Sequence, residues 1–301
     1  MKILLACIAS ITGIALAAQP PLLFDSLGIV APHARLKKIS DQFSFTEGPA
    51  ADKRGNVYFT DQPNNTIWFF DAKKGSLRLF KKEAGRANGL YLDAKGNIIA
   101  CADEHNELWQ VDPKGRVKIL LSNVNGKKLN GPNDLWVDGA GGIYFTDPYY
   151  QRNYWARKAP EIERQNVYYW AQGQQVRLVD SNLVKPNGIV GRGSTLYVAD
   201  IGDSKTYKYM IRENGTLTDR TLFVTQGSDG MTLDAAGNLY LTGKGVTVYN
   251  AAGVKIAHIP VPEKWVANIC FAGKKKNILF ITAGTSIYTL EMATRGDGVP
   301  R

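Results

Sequence analysis

The sequence predicts an all-β fold: a six-bladed β-propeller with four antiparallel strands per blade, closed by an N-terminal strand. A hairpin unit recurs six times along the chain, and two further strands follow it in most copies. No helical periodicity of useful length appears after the N-terminal segment. With 301 residues, 44% of them hydrophobic, the chain can bury a large core. The regular repeat favours one domain over two.

The clearest copy of the hairpin unit is GPNDLWVDGAGGIYFTDP, residues 131–148. Short apolar runs lie on both sides of a Gly/Asp-rich turn at residues 138–142, which is the pattern of two paired strands. Asn133 opens the hairpin and Asp147 closes it. Because an antiparallel pair returns to its starting end, both polar residues are predicted to lie at the same end of the blade.

The other copies begin at intervals of roughly 40 to 55 residues, the spacing of radial β-repeats. Each copy opens with an acid or an amide, and the six opening residues are Glu47, Asn88, Asn133, Asn187, Asp229 and Asn268. In a closed ring of blades, six equivalent positions point at one axis. The sequence therefore predicts a functional centre of oxygen-bearing side chains on that axis.

Residues 1–18 are predicted to be a signal peptide. Lys2 supplies the positive end, residues 3–16 the apolar core, and Ala15-Leu16-Ala17 a small-residue cleavage site. The apolar run is too short for a spanning helix. The string before Cys7 resembles a lipoprotein signal, but only six residues precede this cysteine, so lipidation is disfavoured. We expect export to the periplasm or medium and no membrane attachment after signal removal.

Residues 19–33 are Pro-rich and predicted to be an extended arm, followed by the single propeller domain of residues 34–301. The last repeat contains only three predicted strands. Residues 34–45, ARLKKISDQFSF, alternate partly and can supply the missing outer strand. Closing the ring in this way would remove open strand edges.

An insertion, PYYQRNYWARKAPEIERQ, follows Asp147 and leaves from the end that carries the opening acids and amides. Four aromatic residues and two arginines are predicted to form a lid over the axial site: Tyr149, Tyr150, Tyr154, Trp155, Arg152 and Arg157. Of these, Tyr149 and Trp155 are predicted to contact substrate. The alternative is an ordinary surface loop whose aromatic residues pack on a neighbouring blade. The sequence leaves both possibilities open.

Charge and cysteine content indicate an ordinary exported surface and core. The net charge of +10 comes from scattered Lys and Arg, with no arginine-rich or aromatic-interleaved stripe, so no nucleic-acid partner is expected. Removal of the signal peptide leaves Cys101 and Cys270, each in a strand of a different repeat. Two buried core thiols are favoured over a disulfide, although the export route permits one.

Five motifs in order, EGP, NGPND, FTDP, KPNG and SDGM, carry a family resemblance over roughly residues 40–290. On these motifs the chain resembles the gluconolactonase family, which includes senescence marker protein (regucalcin) and is related to squid-type diisopropylfluorophosphatase. The run around Asn133 is similar to the bacterial gluconolactonase branch. The resemblance implies a six-bladed propeller with one divalent cation, usually calcium, near the axis. Its implied ligands are Glu47, Asn187 and Asp229, with Asn133 as a further ligand or a substrate contact.

Two departures from the family pattern fall where substrate is recognised. Some members carry an arginine two residues before the asparagine that corresponds to Asn133, and here that residue is Gly131. Bacterial relatives often have a Glu-His pair directly after the second-repeat cysteine. Here the pair comes two residues later, as Glu104-His105. Both changes bear on sugar-lactone preference and leave the implied metal ligands intact.

The implied ligand set contains two carboxylates and two amide carbonyls. Such hard oxygen donors suit Ca²⁺ first, with Mg²⁺, Mn²⁺ and Zn²⁺ as alternatives. No histidine or cysteine cluster has zinc spacing, and no nucleophile elbow is present. Aspartates that follow a strand, such as Asp61, Asp147 and Asp200, are better interpreted as turn caps.

The predicted function is metal-dependent hydrolysis of small-molecule lactones, sugar-derived by the resemblance. A metal would polarise the lactone carbonyl for attack by water. The resemblance places the general base at Asp229. Further substrate contacts are predicted at Asn88, Asp103, Asn133 and Asn268, and in the lid at Tyr149 and Trp155. Two alternatives stay open: an esterase or organophosphate hydrolase on the same metal, and a non-enzymatic, calcium-plugged propeller that binds a ligand or partner. The particular lactone and the oligomeric state stay undetermined.

Overall fold

The structure, a computed structural model, describes residues 23–297, in which every regular element is a β-strand. Twenty-five strands form six antiparallel sheets, five with four strands and one with five. These sheets are the blades of a propeller, which confirms the predicted fold. Within the described residues no helix is long and apolar enough to cross a membrane. The predicted signal peptide, the first residues of the arm and residues 298–301 lie outside the described part.

In the first three blades the strands follow chain order from the axis outwards. Blade 1 contains β3 (Thr46–Ala51), β4 (Val57–Asp61), β5 (Thr66–Asp71) and β6 (Ser76–Lys82). Blade 2 contains β7 (Ala87–Leu92), β8 (Ile98–Ala102), β9 (Glu107–Val111) and β10 (Val117–Leu121). Blade 3 contains β11 (Leu135–Val137), β12 (Ile143–Asp147), β13 (Asn166–Trp170) and β14 (Arg177–Asp180).

Of the last three blades, the fifth and the sixth also use the N-terminal segment. Blade 4 contains β15 (Pro186–Arg192), β16 (Thr195–Asp200), β17 (Lys205–Ile211) and β18 (Leu217–Val224). Blade 5 contains β19 (Met231–Leu233), β20 (Leu239–Gly243), β21 (Gly245–Tyr249), β22 (Lys255–Ile259) and, outermost, β1 (Phe24–Asp25). Blade 6 contains β23 (Val266–Ala272), β24 (Ile278–Ala283), β25 (Ser286–Glu291) and, outermost, β2 (Lys37–Ser40).

The strand β2 closes the ring, as predicted for residues 34–45. It pairs antiparallel with β25, with Lys37 opposite Thr289 and Lys38 opposite Tyr288. The first and last parts of the chain therefore share one blade. The preceding arm is also in contact with the propeller, because Phe24 pairs with His258 on the edge of blade 5.

A repeated aspartate turn joins consecutive strands and makes the hairpins. In the clearest case one Asp52 oxygen accepts the amides of Arg54 and Asn56, at 2.8 and 2.9 Å. Gly55 adopts a positive φ of 84°, which a side chain would disfavour. The same arrangement recurs at Asp93, Asp112, Asp138 and Asp234. These local bonds explain why Asp-x-x-Gly marks the hairpins so consistently.

The hydrophobic core is divided into layers between neighbouring blades. Six clusters of buried residues are found, and each joins two adjacent blades. Blades 6 and 1, for example, meet where the rings of Phe59 and Phe280 lie 5.6 Å apart. Cys101 and Cys270 belong to different layers and are free thiols, as favoured, although only Cys101 is fully buried and Cys270 is partly buried. This layering leaves the inner strands free to line the axis.

Aspartates at the ends of the second strands cap the loops that enter each blade. Asp61 accepts the amides of Ser44 and Phe45, both at 3.1 Å. Asp147 accepts those of Asn130 and Gly131, and Asp200 those of Val184 and Lys185. These three aspartates therefore have a capping role, but they cap the loops before the first strands of their blades and not, as expected, the turns into the next strands.

Candidate functional site

Three of the implied ligands come together at one end of the axis. Glu47 and Asn187 are the second residues of the inner strands β3 and β15, and Asp229 lies two residues before β19. The first two are buried and Asp229 is half-buried. The Asn187 side chain hydrogen-bonds the Asp229 carboxylate, and the negative charge of Asp229 acts on Glu47. The structure thus joins residues that lie up to 182 positions apart in the sequence, from 47 to 229.

Asn133 and Asn88 are held in the same ring by their main chains. The amide of Asn133 donates to the Thr146 carbonyl at 2.9 Å, and its carbonyl accepts from Gly89 at 2.7 Å. The carbonyl of Asn88 accepts from the Thr60 hydroxyl at 3.0 Å. Both asparagines are buried. The metal or substrate contact of Asn133 and the substrate contact of Asn88 stay predictions.

The sixth copy is displaced by one residue from its predicted position. In three blades a threonine of the second strand donates to the carbonyl of the next blade's ring residue. The acceptors are Asn88, Asn187 and, in the sixth blade, Ala267. Asn268 was expected to open the sixth copy, but Ala267 is the equivalent of the ring residues. A one-residue difference moves the side chain to another level of the channel.

Asn268 and Asp134 form the floor beneath the ring, one position further along their strands. The Asn268 amide donates to Glu47 Oε2 at 3.1 Å and to Asp134 Oδ2 at 3.4 Å. A Cβ on Gly89 would lie 2.6 Å from Asp134 Oδ1, and one on Gly230 would lie 2.0 Å from Asn268. The glycines in the other copies therefore make room for these two side chains.

Asp134 is a residue that the sequence reasoning missed. Four copies have glycine after the opening residue, at Gly48, Gly89, Gly188 and Gly230, whereas the third copy has aspartate. That break in the pattern was the available signal. Asp134 brings a third carboxylate to the axis, beside Glu47 and Asp229.

Burial and mutual repulsion disfavour the ionised forms of these three carboxyl groups. Burial raises the pKa of Asp134 to about 7 and that of Asp229 to about 6. Burial also raises the pKa of Glu47 well above its ordinary value, and the charges of Asp229 and Asp134 raise it further. Hydrogen bonds from Trp265 and Asn187 oppose the shift at Asp229. A cation at this end of the axis would relieve the repulsion.

The donor atoms fit a hard cation. Asn187 Nδ2 donates to the Tyr150 hydroxyl at 3.1 Å, whereas the buried Asn187 Oδ1 has no hydrogen-bond partner. An orphaned buried carbonyl beside two carboxylates is the arrangement that an oxygen-seeking ion would complete. Within residues 23–297 no group of three or more His, Cys, Asp and Glu could hold a metal by itself. A cation here would therefore depend on the amide oxygens as well.

Trp265 is a second residue that sequence reasoning missed. It lies in the connection between β22 and β23, and its indole N–H donates to Asp229 Oδ2 at 2.6 Å. The side chain is half-buried. It fixes one oxygen of the predicted base and forms part of the wall beside it. No spacing or motif in the sequence pointed to this contact.

The insertion after β12 is anchored on Asp103. Arg152 Nε lies 2.8 Å from Asp103 Oδ2, and the Tyr154 hydroxyl donates to the same oxygen. Gln62 donates to it as well, at 3.0 Å. Burial raises the pKa of Asp103, and the Arg152 charge opposes the shift. Asp103 was predicted to contact substrate, but its carboxylate is buried and engaged by the insertion.

Tyr149 and Trp155 pack within the insertion. The Trp155 indole donates to the Asp103 carbonyl at 2.9 Å, and only 5% of its surface is exposed. The Arg157 guanidinium lies 4.4 Å from the Trp155 ring, and the Tyr149 ring lies 5.8 Å away. Trp155 therefore offers little surface to a substrate. Tyr149 is half-buried, and its substrate contact stays a prediction. The residue of the insertion that reaches the axial set is Tyr150.

The two departures from the family pattern have local explanations. A Cβ on Gly131 would lie 2.8 Å from Asp103 Oδ1 and 3.0 Å from Trp155, so the anchored insertion fills that space. Glu104 pairs with Arg86 at 3.5 Å. His105 is 54% exposed and its ring stacks 5.6 Å from that of Trp109. Neither member of the Glu-His pair is aimed at the axial set.

Comparison with known proteins places these features in a family. The profile described as SMP-30/Gluconolactonase/LRE-like region matches residues 45–285. A gluconolactonase from Zymomonas mobilis is 28% identical, over 96% of this chain and 93% of its own. The structure of a gluconolactonase from Xanthomonas campestris superposes with a TM-score of 0.84 at 27% identity, over 95% of this chain and 100% of that one.

A more distant likeness concerns the fold. The structure of regucalcin from Agrobacterium tumefaciens, a calcium-binding protein, superposes with a TM-score of 0.73 at 20% identity. The superposition covers 89% of this chain and 97% of that one. The propeller architecture is thus common to relatives whose sequences have diverged widely.

Proposed function

Because this chain belongs to the SMP-30/gluconolactonase/LRE-like family, we propose that it hydrolyses lactones, with sugar-derived lactones as the substrate class. The two gluconolactonases named above support the proposal, since each of them matches this protein over nearly the whole length of both chains. The matched region, residues 45–285, contains all the axial residues and the insertion. The product of the reaction would be the open-chain hydroxy acid.

One observation of the site carries the proposal. The buried Asn187 Oδ1 lacks a hydrogen-bond partner although two carboxylates, those of Glu47 and Asp229, lie in the same cluster. Leaving such a group without a hydrogen bond lowers the stability of the folded protein, and placing carboxylates close together lowers it further. Sites that bear such a cost are frequently functional.

A divalent cation is part of the proposal. Glu47, Asn133, Asn187 and Asp229 are the residues that would hold it, with Ca²⁺ ahead of Mg²⁺, Mn²⁺ and Zn²⁺ for an all-oxygen set. When bound, such an ion would polarise the lactone carbonyl and stabilise the negative charge that develops on its oxygen.

Asp229 would serve as the general base. Trp265 donates to Asp229 Oδ2 and so orients the carboxylate. A pKa of about 6 keeps the group ionised at neutral pH yet basic enough to take a proton from water. The water oxygen adds to the carbonyl carbon and the ring C–O bond breaks. The proton on Asp229 then passes to the departing ring oxygen.

The test is a lactone panel run on chelated protein, with each divalent metal restored in turn. We expect hydrolysis of sugar lactones, little activity after chelation and the best recovery with Ca²⁺. Turnover of esters or phosphotriesters in place of lactones would favour the esterase alternative. Bound metal with no turnover of any of these substrates would favour the non-enzymatic alternative.

We also propose that the protein is exported, on the basis of residues 1–18. Intact-mass measurement of protein recovered from the periplasm or medium should show loss of the first 17 or so residues. Recovery of the full-length chain from the cytoplasm would contradict export.

A further inference from the structure

Two cations lie against the ring of Tyr150, whose hydroxyl contacts the axial set, and we call this region the mouth of the axial site. The Lys185 ammonium lies 4.5 Å from the centre of the Tyr150 ring, and the Arg152 guanidinium carbon lies 5.5 Å from it. The hydroxyl of the same ring accepts from Asn187, one of the axial residues. The two positive charges are therefore separated from the axial site by a single aromatic side chain.

Both cations retain unused hydrogen-bond donors. Among the described residues Lys185 forms no ion pair, and its ammonium group contacts the Tyr150 ring. Arg152 uses Nε for Asp103, while its two terminal nitrogens have no protein acceptor in residues 23–297. The Arg152 side chain is 27% exposed. Arg157 differs, because its terminal nitrogens donate to the Leu129 and Asn130 carbonyls.

The charges around the site are segregated by depth. Glu47, Asp134 and Asp229 lie on or near the axis, whereas Lys185 and the Asp103-paired Arg152 lie at the mouth. The outer cations would attract a negatively charged group on a ligand. Guanidinium and ammonium donors without protein acceptors suit a carboxylate. Such a group would be held at the mouth while a neutral ring extends inwards.

We propose that Arg152 and Lys185 bind a free carboxylate of the substrate, so that the preferred substrates are acidic lactones, those of aldaric or uronic acids. This inference rests on the proposed lactone hydrolysis and names its substrate class. The carboxylate lies at the end of the substrate remote from the reacting carbonyl. Arg152 and Lys185 are thus specificity-determining residues, and the insertion contributes one of them.

The experiment compares D-glucaro-1,4-lactone with D-glucono-1,4-lactone, which share a ring and differ in carrying a carboxylate or a hydroxymethyl group at C6. We expect wild-type kcat/KM to favour the acidic lactone by about tenfold or more, the size of a charge-assisted hydrogen bond. The preference should shrink as salt is added. Lys185→Gln should lower the acidic-to-neutral ratio about tenfold, and Arg152→Gln with Lys185→Gln should abolish the preference.

Two controls separate charge recognition from damage to the insertion. Lys205→Gln removes a cation from the same end of blade 4, but this lysine is already paired with Asp203 at 2.7 Å, so the ratio should stay at its wild-type value. Arg152→Lys keeps the charge and should retain most of the preference. Collapse of the insertion would lower kcat/KM for both lactones together and leave their ratio unchanged.

The outcomes distinguish this inference from the proposed function. Hydrolysis of the neutral lactone with no preference for the acidic one would overturn the inference alone. A preference that survives the double substitution would also overturn it. Failure to hydrolyse either lactone, or any other member of the panel, would overturn the proposed function and this inference together.

Discussion

At the scale of single residues, Asp229 differs from Glu47 in its surroundings. Glu47 is buried, and its Oε2 accepts from the Gly48 amide and from Asn268. Asp229 is half-buried, and its Oδ2 is held by the Trp265 indole. We therefore expect Glu47 to act only as a ligand and Asp229 to act also as the base.

Asp229→Asn should leave the protein folded and nearly inactive. The amide oxygen can still accept from Trp265, so orientation is kept, but the group can no longer take a proton. Loss of a general base typically lowers the rate about 10²- to 10⁴-fold. Glu47→Gln should act through weaker metal binding, so excess metal should restore part of its activity. Lactone hydrolysis of both variants is measured across a metal titration.

The two variants serve as controls for each other, because each exchanges a carboxylate for the matching amide. Full recovery of Asp229→Asn at saturating metal would show that Asp229 is only a ligand. The base would then have to be sought among the other carboxylates of the channel, Asp134 first.

Asp134 should make the metal-free protein less stable as the pH rises. Its pKa is raised by burial from 3.8 to about 7, so the folded protein binds this proton more tightly than the unfolded chain. Its favourable contribution is complete below a pH of about 4 and is lost as the pH rises to about 7. The side chain in Asp134→Asn stays neutral at every pH. The free energy of unfolding of this variant, relative to that of wild type, should therefore increase as the pH rises from about 4 to about 7.

Chemical denaturation of chelated protein between pH 4 and 8 measures this difference. Asp219→Asn, which neutralises an exposed aspartate paired with Arg212, is the control and should show no comparable trend. A stability difference between Asp134→Asn and wild type that does not change with pH would contradict the assigned role of the buried charge.

At the scale of elements, the insertion is held by one buried carboxylate. Asp103→Ala removes the acceptor for Arg152, Tyr154 and Gln62. Losing hydrogen bonds to a charged group should lower the free energy of opening the insertion by about 1.5–3 kcal/mol, enough for tenfold faster cleavage. Limited trypsinolysis should then cut faster at Arg152, Arg157 or Lys158.

Glu104→Ala is the matched control for the insertion. It removes the neighbouring carboxylate, which pairs with Arg86 and, within residues 23–297, accepts no hydrogen bond from residues 148–165. Its cleavage rate should stay close to that of wild type. Equal cleavage of the Asp103→Ala variant would mean that packing around Trp155, and not Asp103, holds the insertion in place.

At the scale of the whole molecule, stability depends on closing the ring. The core consists of layers between neighbouring blades, so an open ring would leave a sheet edge and loosen the adjoining layer. Deleting the chain through residue 41 removes β2 and exposes the edge of β25. We expect the Tm to fall by several degrees and the protein to associate through that edge. Thermal unfolding and light scattering measure the two effects.

A shorter deletion, through residue 23, provides the comparison. It spares β1, β2 and the buried Ile29 and Val30. We expect this shorter variant to keep the Tm and the oligomeric state of the mature protein. If both deletions lower the Tm equally, ring closure by β2 is not the stabilising contact.

The sequence by itself determined the architecture and most of the axial set. Hairpins are specified locally, because an Asp-x-x-Gly turn such as Asp52 to Gly55 satisfies its own backbone within five residues. Repetition of that unit fixes the blade number, and the incomplete last repeat indicates closure by residues 34–45. Equivalent positions in a closed ring must converge on its axis. The repeat alone was therefore enough to place Glu47, Asn187 and Asp229 together.

Only the tertiary structure decided the details on which chemistry depends. The inner strands are buried on both faces, so hydrophobic alternation does not fix their register to one residue. Ala267 instead of Asn268 therefore occupies the sixth ring position, and Asp134 enters the floor. The contacts of Trp265 with Asp229 and of Arg152 with Asp103 join loops from different blades. Such contacts arise from the closed ring, and no local pattern in the sequence encodes them.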